Sequence, residues 1–162
     1  MSETGMPNGD PGPGGQQIQI QILGQYVKDL SFENPGAPLM NPATRPQIEL
    51  GVDLQARNLD PQRFEVELKL RVSAQNEGKP LFLLEMAYGA LVGVQSAPPE
   101  IIQQVMLIDV PQLMFPFARR VVADAIRDGG MPPLMIEPID FATLYRSKLA
   151  EGQLRAPGAV PT

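Results

Sequence analysis

The chain of 162 residues contains no cysteine and no histidine. The first absence excludes disulfides and thiolate metal sites and fits a reducing compartment. The second removes the usual zinc ligands, the Ser-His-Asp triad and most general-base schemes. Ser31, Ser73, Ser96 and Ser147 therefore have no histidine to activate them. No basic cluster interleaved with aromatics is found, and a net charge of −5 also argues against nucleic acid. The opening residues lack a basic stretch leading into an apolar core, so no signal peptide is expected. No window approaches about 18 consecutive apolar residues, so no membrane span is expected either. "GQYVKD" and "YGALVG" carry glycines but no phosphate-binding pattern that opens a helix. An enzyme would have to run on Asp, Glu, Lys or Tyr alone. Glu65 and Glu67 read as an outward strand face, and Tyr26, Tyr88 and Tyr145 as packing residues. The expectation is a soluble, cytoplasmic, non-enzymatic protein with no cofactor and no metal.

What is present is an ordinary globular complement, 43% hydrophobic, of a size for one domain with a real core. Residues 1–16 form a Gly/Pro-rich leader and 151–162 a similar tail, leaving an ordered body of 17–150. Charge is uneven. From Gln16 to Leu113 there are seven Lys/Arg against eleven Asp/Glu, and from Met114 onward six against five, so the strand-rich half carries the negative field.

Period-2 alternation marks the strands. "QIQIQILGQYVKDLSFE" sets Ile18, Ile20 and Ile22 against Gln17, Gln19 and Gln21. After a long connector, "NPGAPLMNPATRP", two more alternating segments follow, "QIELGVDLQA" and "RFEVELKLRVSAQ". A fourth, "LFLLEMAYGALVGV", breaks the alternation. Phe82, Leu84, Met86, Tyr88 and Ala90 share one face, and Leu81, Leu83, Ala87 and Leu91 share the other around a lone Glu85. A strand apolar on both faces must be covered on both, by a helix layer or by another subunit.

Helical spacing begins at "PPEIIQQVMLID", which Pro111 is expected to stop. A second helix is expected to open at Pro116 and to end at Gly129-Gly130, and Asp140 can cap a third. Between the last two lies "MPPLMI", an oily, proline-stiffened loop that must pack on its own core or offer apolar surface to something else. Strands first and helices after indicate an α+β fold, a four-stranded antiparallel sheet with helices packed on one face.

Two stretches, "YVKDLSFENPGAP" and "PFARRVVADAIRDGGMPPLMIEPIDFATLYRSKL", carry a family resemblance. The chain resembles the protein-export chaperone SecB through K-D-x-S-F-E-x-P-x-A-P at Lys28 to Pro38 and F-L-x-E at Phe82 to Glu85. The F-P-[FY]-A-R block at Phe115 to Arg119 and the run of Gly, Pro and Leu ending at Phe141 complete it. The resemblance implies a SecB-like homotetramer, a dimer of dimers. It implies a holdase that uses no ATP, keeps unfolded secretory precursors translocation-competent and delivers them to the motor ATPase SecA.

By resemblance, the SecA-binding surface falls on Asp29, Glu33, Leu83 and Glu85, and the oligomer interface on Phe82, Leu84, Met86 and Tyr88. The client-binding groove falls along Leu39, Met40, Phe115, Phe117, Met131, Leu134 and Met135. Thr44 stands where some relatives carry an aromatic, and the tail carries Arg155 and a single acid, Glu151. Two other readings are a SecB-like chaperone dedicated to an antitoxin and a small α+β binding protein for an apolar small molecule.

Overall fold

The computed structural model describes residues 18–38 and 45–152. Strands β1 (Gln19–Glu33), β2 (Gln47–Asp60), β3 (Arg63–Asn76) and β4 (Lys79–Ser96) form one antiparallel sheet in the order β1-β4-β3-β2. Tight turns close the two local hairpins. Asp60 accepts the Gln62 N–H at 2.9 Å and Arg63 Nε at 2.6 Å in the first. In the second, Glu77 and Gly78 both take positive φ (49° and 79°), the conformation whose twist suits a two-residue hairpin. The connector after β1 has a different task. β1 and β2 lie at opposite edges, so it must cross three interstrand spacings, about 14 Å in all.

Register puts every even-numbered residue of β3 from Phe64 to Ala74 on the same face as every even-numbered residue of β4 from Phe82 to Val92. A helical layer covers this face. Helix α1 (Pro99–Gln104), a π-helical turn (Val105–Asp109) and α2 (Val110–Asp128) run on as one rod, Pro99–Asp128. Met106, Val110, Met114, Ala118, Val122 and Ile126 from the rod join Leu68, Leu70, Leu84, Met86 and Tyr88 from the sheet in one core. Each Val, Leu, Ile or Met among them contributes roughly 1.5–3 kcal/mol when fully buried.

The prolines do not divide this rod, contrary to the sequence expectation. The Val110 N–H bonds to the Val105 carbonyl, five residues back, so the helix is widened where it reaches Pro111. That turn relieves the clash between a proline ring and the carbonyl four residues earlier. Pro111 is then buried in the core. Pro116 lies inside α2 on its exposed side, beside exposed Gln112, whose carbonyl loses its helical partner where water can reach it. Continuity also makes the rod long and apolar enough to cross a membrane by length and composition, with a mean hydropathy of 1.3 over its best window. One face of it is nevertheless committed to the sheet.

Gly130, at φ 87°, ends the rod with the Met131 N–H reaching back to the Ile126 carbonyl at 3.3 Å. After an irregular 131–140 segment, Asp140 caps α3 (Phe141–Ala150) by accepting the Thr143 N–H at 3.0 Å. Lys148 of α3 donates to Asp53 Oδ1 at 2.9 Å and to the Leu54 carbonyl at 3.2 Å, which ties the last helix to edge strand β2.

Candidate binding surfaces

The "MPPLMI" segment forms one wall of a groove of about 840 Å³. Met131, Pro133 and Leu134 line it, facing Pro35, Leu81 and Ile48 at the end of the sheet. One hydrogen bond ties the sheet side to the end of the rod, and two further contacts brace the sheet side itself. Asn34 Nδ2 donates to the Gly129 carbonyl at 2.9 Å, and the Gly36 N–H donates to the Leu81 carbonyl at 3.0 Å. Phe32 packs on Phe82 with ring centroids 5.8 Å apart. The Phe32 ring also sits where a side chain at Gly129 would go, 2.6 Å from the position of a Cβ, so that glycine is required by close approach.

Of the residues the resemblance places in a client groove, the structure brings Met131 and Leu134 together. Met135 lies beyond that lining and is 60% exposed. Phe117 stands on the outer side of the rod, 54% exposed, one turn from the equally exposed Leu113. Phe115 is buried instead, edge-on to Phe141 at 6.3 Å and beneath the Arg119 guanidinium at 5.6 Å. Leu39 and Met40 fall outside the described residues. Ile48 and Leu81 line the groove but were read from sequence only as strand positions. Their place at the sheet end next to a connector was the available signal.

The opposite face of the sheet is open. Cross-strand register places Glu33 beside Leu83, Ser31 beside Glu85, and Asp29 beside Ala87, so Asp29, Glu33, Leu83 and Glu85 form one strip along β1 and β4. Glu85 faces Arg71 of β3 and forms an ion pair with it at 3.1 Å. Toward the other end of the same face, alternation fails as a guide to exposure. Glu65, read as outward, is only 6% exposed. It accepts hydrogen bonds from the Tyr26 hydroxyl, from Lys28 at 2.9 Å and from Arg57 at 3.0 Å. Those bonds, Tyr26 first and Lys28 next, hold its carboxyl down at about 2 although burial acts the other way. Burial, followed by the Glu65 contact, pushes the Tyr26 hydroxyl up to about 12. Lys28 also reaches Glu67 at 2.8 Å, which lowers that carboxyl too. The Tyr26 ring covers Gly89, where a Cβ would lie 2.5 Å from it.

Phe82, Leu84, Met86 and Tyr88, assigned by resemblance to subunit contact, all lie beneath the rod and are buried within the single chain. Exposed large apolar side chains lie elsewhere, among them Leu23, Val27 and Leu30 on edge strand β1, Ile48 and Leu50 on edge strand β2, and Leu113 and Phe117 on the rod.

Residues 14–152 match the family described as "Preprotein translocase subunit SecB". The chain is 44% identical to a protein-export protein SecB of Parvibaculum lavamentivorans, over 99% of each chain. It is 43% identical to the corresponding protein of Azorhizobium caulinodans, over 94% of each. Among solved structures, it is similar in fold to a SecB-like chaperone of Mycobacterium tuberculosis, solved with an antitoxin peptide. That likeness has a TM-score of 0.64 at 19% identity and covers 74% of this chain and 90% of the other.

Proposed function

This chain belongs to the SecB family of cytoplasmic, non-enzymatic protein-export chaperones, and from that premise we propose how its two surfaces divide the work. The groove behind Met131 and Leu134 grips unfolded secretory precursors, and the strip Asp29, Glu33, Leu83 and Glu85 on the open sheet face docks SecA. Met40, Leu39, Phe115, Phe117 and Met135 extend or support the client path, Phe115 by holding the rod and α3 together.

Magnitudes suit a holdase. Fixing a client residue costs roughly 1–2 kcal/mol of backbone entropy, while burying one Leu or Phe returns about 1.5–3. A groove of about 840 Å³ therefore retains a few apolar side chains and leaves the rest of the client loose. Its proline-rich wall is already ordered, so little further entropy is lost on binding, and methionine adapts to clients of different shape. Useful affinity then needs several grooves acting on one long polypeptide, through effective concentration.

That requirement favours a homotetramer built as a dimer of dimers. The apolar residues of edge strand β1 and the outer stripe Leu113–Phe117 are among the surfaces free to meet other copies. Phe82, Leu84, Met86 and Tyr88 serve assembly indirectly, by fixing the rod that presents that stripe. The near-complete coverage of export relatives favours secretory precursors over an antitoxin as clients.

The observation that carries this reading is the placement of an apolar groove and an acidic strip on different sides of one sheet. Aggregation suppression of a slowly folding precursor, with and without SecA, tests it. The expected result is suppression by the chaperone alone and release of the precursor when SecA is added. Absence of suppression at every salt and temperature tried overturns it.

A further inference from the structure

The acids of the docking strip differ in availability. Asp29 and Glu33 make no ion pair among the described residues, whereas Glu85 is held by Arg71 at 3.1 Å. The pairing follows from register: Ser31 of β1, Glu85 of β4, Arg71 of β3 and Gly51 of β2 form one row across the open face. Ser31 is short and Gly51 has no side chain, so Arg71 and Glu85 have only each other within the row. Lys69, the next cation along β3 on this face, is 3.5 Å from Glu67 and so is engaged elsewhere.

We infer that Arg71 is a specificity-determining residue of the docking surface: it occupies Glu85 with an internal guanidinium that an incoming basic segment must displace. The inference rests on the docking reading above. An exposed pair of this kind is weak, worth about 0–1 kcal/mol, so it filters partners and does not block them. A lone cation that trades places with Arg71 gains little at Glu85. A segment that also engages the free acids Asp29 and Glu33 and covers Leu83 gains enough to complete the exchange.

The row also gives the displaced side chain somewhere to go. A Cβ built on Gly51 would meet only Arg71 itself, its Cβ at 3.6 Å and its carbonyl oxygen at 3.9 Å, so that side of Arg71 is open. The freed guanidinium can turn away from β4 toward the space above Gly51 of β2. Arg71, Glu85, Asp29 and Gly51 line the same shallow depression of about 460 Å³, so the exchange takes place within one feature of the surface.

The test is a mutant cycle read by SecA affinity at low ionic strength, with unfolded-precursor binding measured in parallel on each full-length variant. Arg71→Gln is expected to tighten SecA binding about two- to fivefold, the range an exposed ion pair allows. Glu85→Gln is expected to weaken it, and adding Arg71→Gln to Glu85→Gln to gain nothing further. The advantage of Arg71→Gln should shrink as salt rises, because salt already weakens the pair in the unaltered protein. Precursor binding should not change. If Arg71→Gln binds SecA equally or more weakly while Glu85→Gln still loses affinity, the masking role is wrong and the docking strip stands. If Glu85→Gln has no effect at any salt, the docking reading itself fails.

Discussion

The two faces of the sheet are built from the same four strands and obey different rules. On the covered face, Leu68, Leu70, Val72 and Leu84 are almost completely buried, and packing against the rod decides what each residue can be. On the open face, side chains are chosen by whom they pair with. Glu65 and Glu67 are neutralised by Lys28 and by bonds from Arg57 and Lys69, and Glu85 is shared with Arg71. Asp29 and Glu33 make no ion pair among the described residues. The open face is therefore less negative than its composition suggests, and the acids left without an ion pair among the described residues lie at its edges, Asp29 and Glu33 on β1 and Glu49 on β2. The proposed docking function puts recognition on the open face, while close packing is concentrated on the covered one.

The largest expected effect tests that division directly with two neighbouring leucines of β4. Leu84→Ala, at a fully buried position, should lower unfolding free energy by about 2–5 kcal/mol in denaturant titration. It should also weaken assembly by loosening the rod. Leu83→Ala, on the open face, should cost under about 1 kcal/mol, since part of its surface already faces water, yet reduce SecA affinity. Equal stability losses would erase the distinction. The next effect in size comes from Gly89→Ala. Its Cβ would fall 2.5 Å from the Tyr26 ring, and relief by moving that ring should cost about 1–3 kcal/mol in the same titration. A neutral result would show that Tyr26 is not held where the structure places it.

Much of this contrast was legible in the sequence, and the misses have physical causes. Period-2 alternation found three of the four strands, and the two-sided apolarity of "LFLLEMAYGALVGV" marked the fourth and required the cover that helices give one of its faces. Strand order was not legible, because nothing local shows that β1 pairs with β4. Alternation also said that Glu65 points outward, which is true. It could not say that Tyr26, 39 residues earlier, would arrive to bury it. The prolines misled for a related reason. Pro111 stops a helix of regular pitch, and the five-residue π turn that admits it has no sequence signature. For the groove, Met131 and Leu134 were readable from an oily loop, whereas Ile48 and Leu81 needed the tertiary path that brings the sheet end beside them.

A smaller effect separates the open face from the groove. Glu85→Lys, or Asp29→Lys with Glu33→Lys, should weaken SecA docking about tenfold or less in titration calorimetry, most strongly at low salt. Client capture should persist, because none of Asp29, Glu33 and Glu85 is among the residues that line the groove. Parallel loss of both activities would merge the two surfaces into one.

The smallest effect concerns pH, and again it should divide the faces. The Glu65 carboxyl sits at about 2 in the folded chain, below its ordinary 4.5. Its contribution is therefore complete above about pH 4.5 and is lost as pH falls toward 2. Tyr26 is displaced the other way, to about 12 from 10.0, so its contribution is complete below pH 10 and is lost as pH climbs toward 12. Between those limbs the network that spans β1, β2 and β3 should hold stability level. Glu65→Gln should lower the plateau and converge with the unaltered protein as the solution is acidified, because protonation has by then removed the same charge. The deficit of Leu84→Ala should show no such convergence, since no titrating group faces it. Chemical denaturation of both variants across pH 2–8 measures the difference, and a pH-independent deficit in Glu65→Gln would mean that its bonds to Tyr26 and Lys28 do not stabilise the fold.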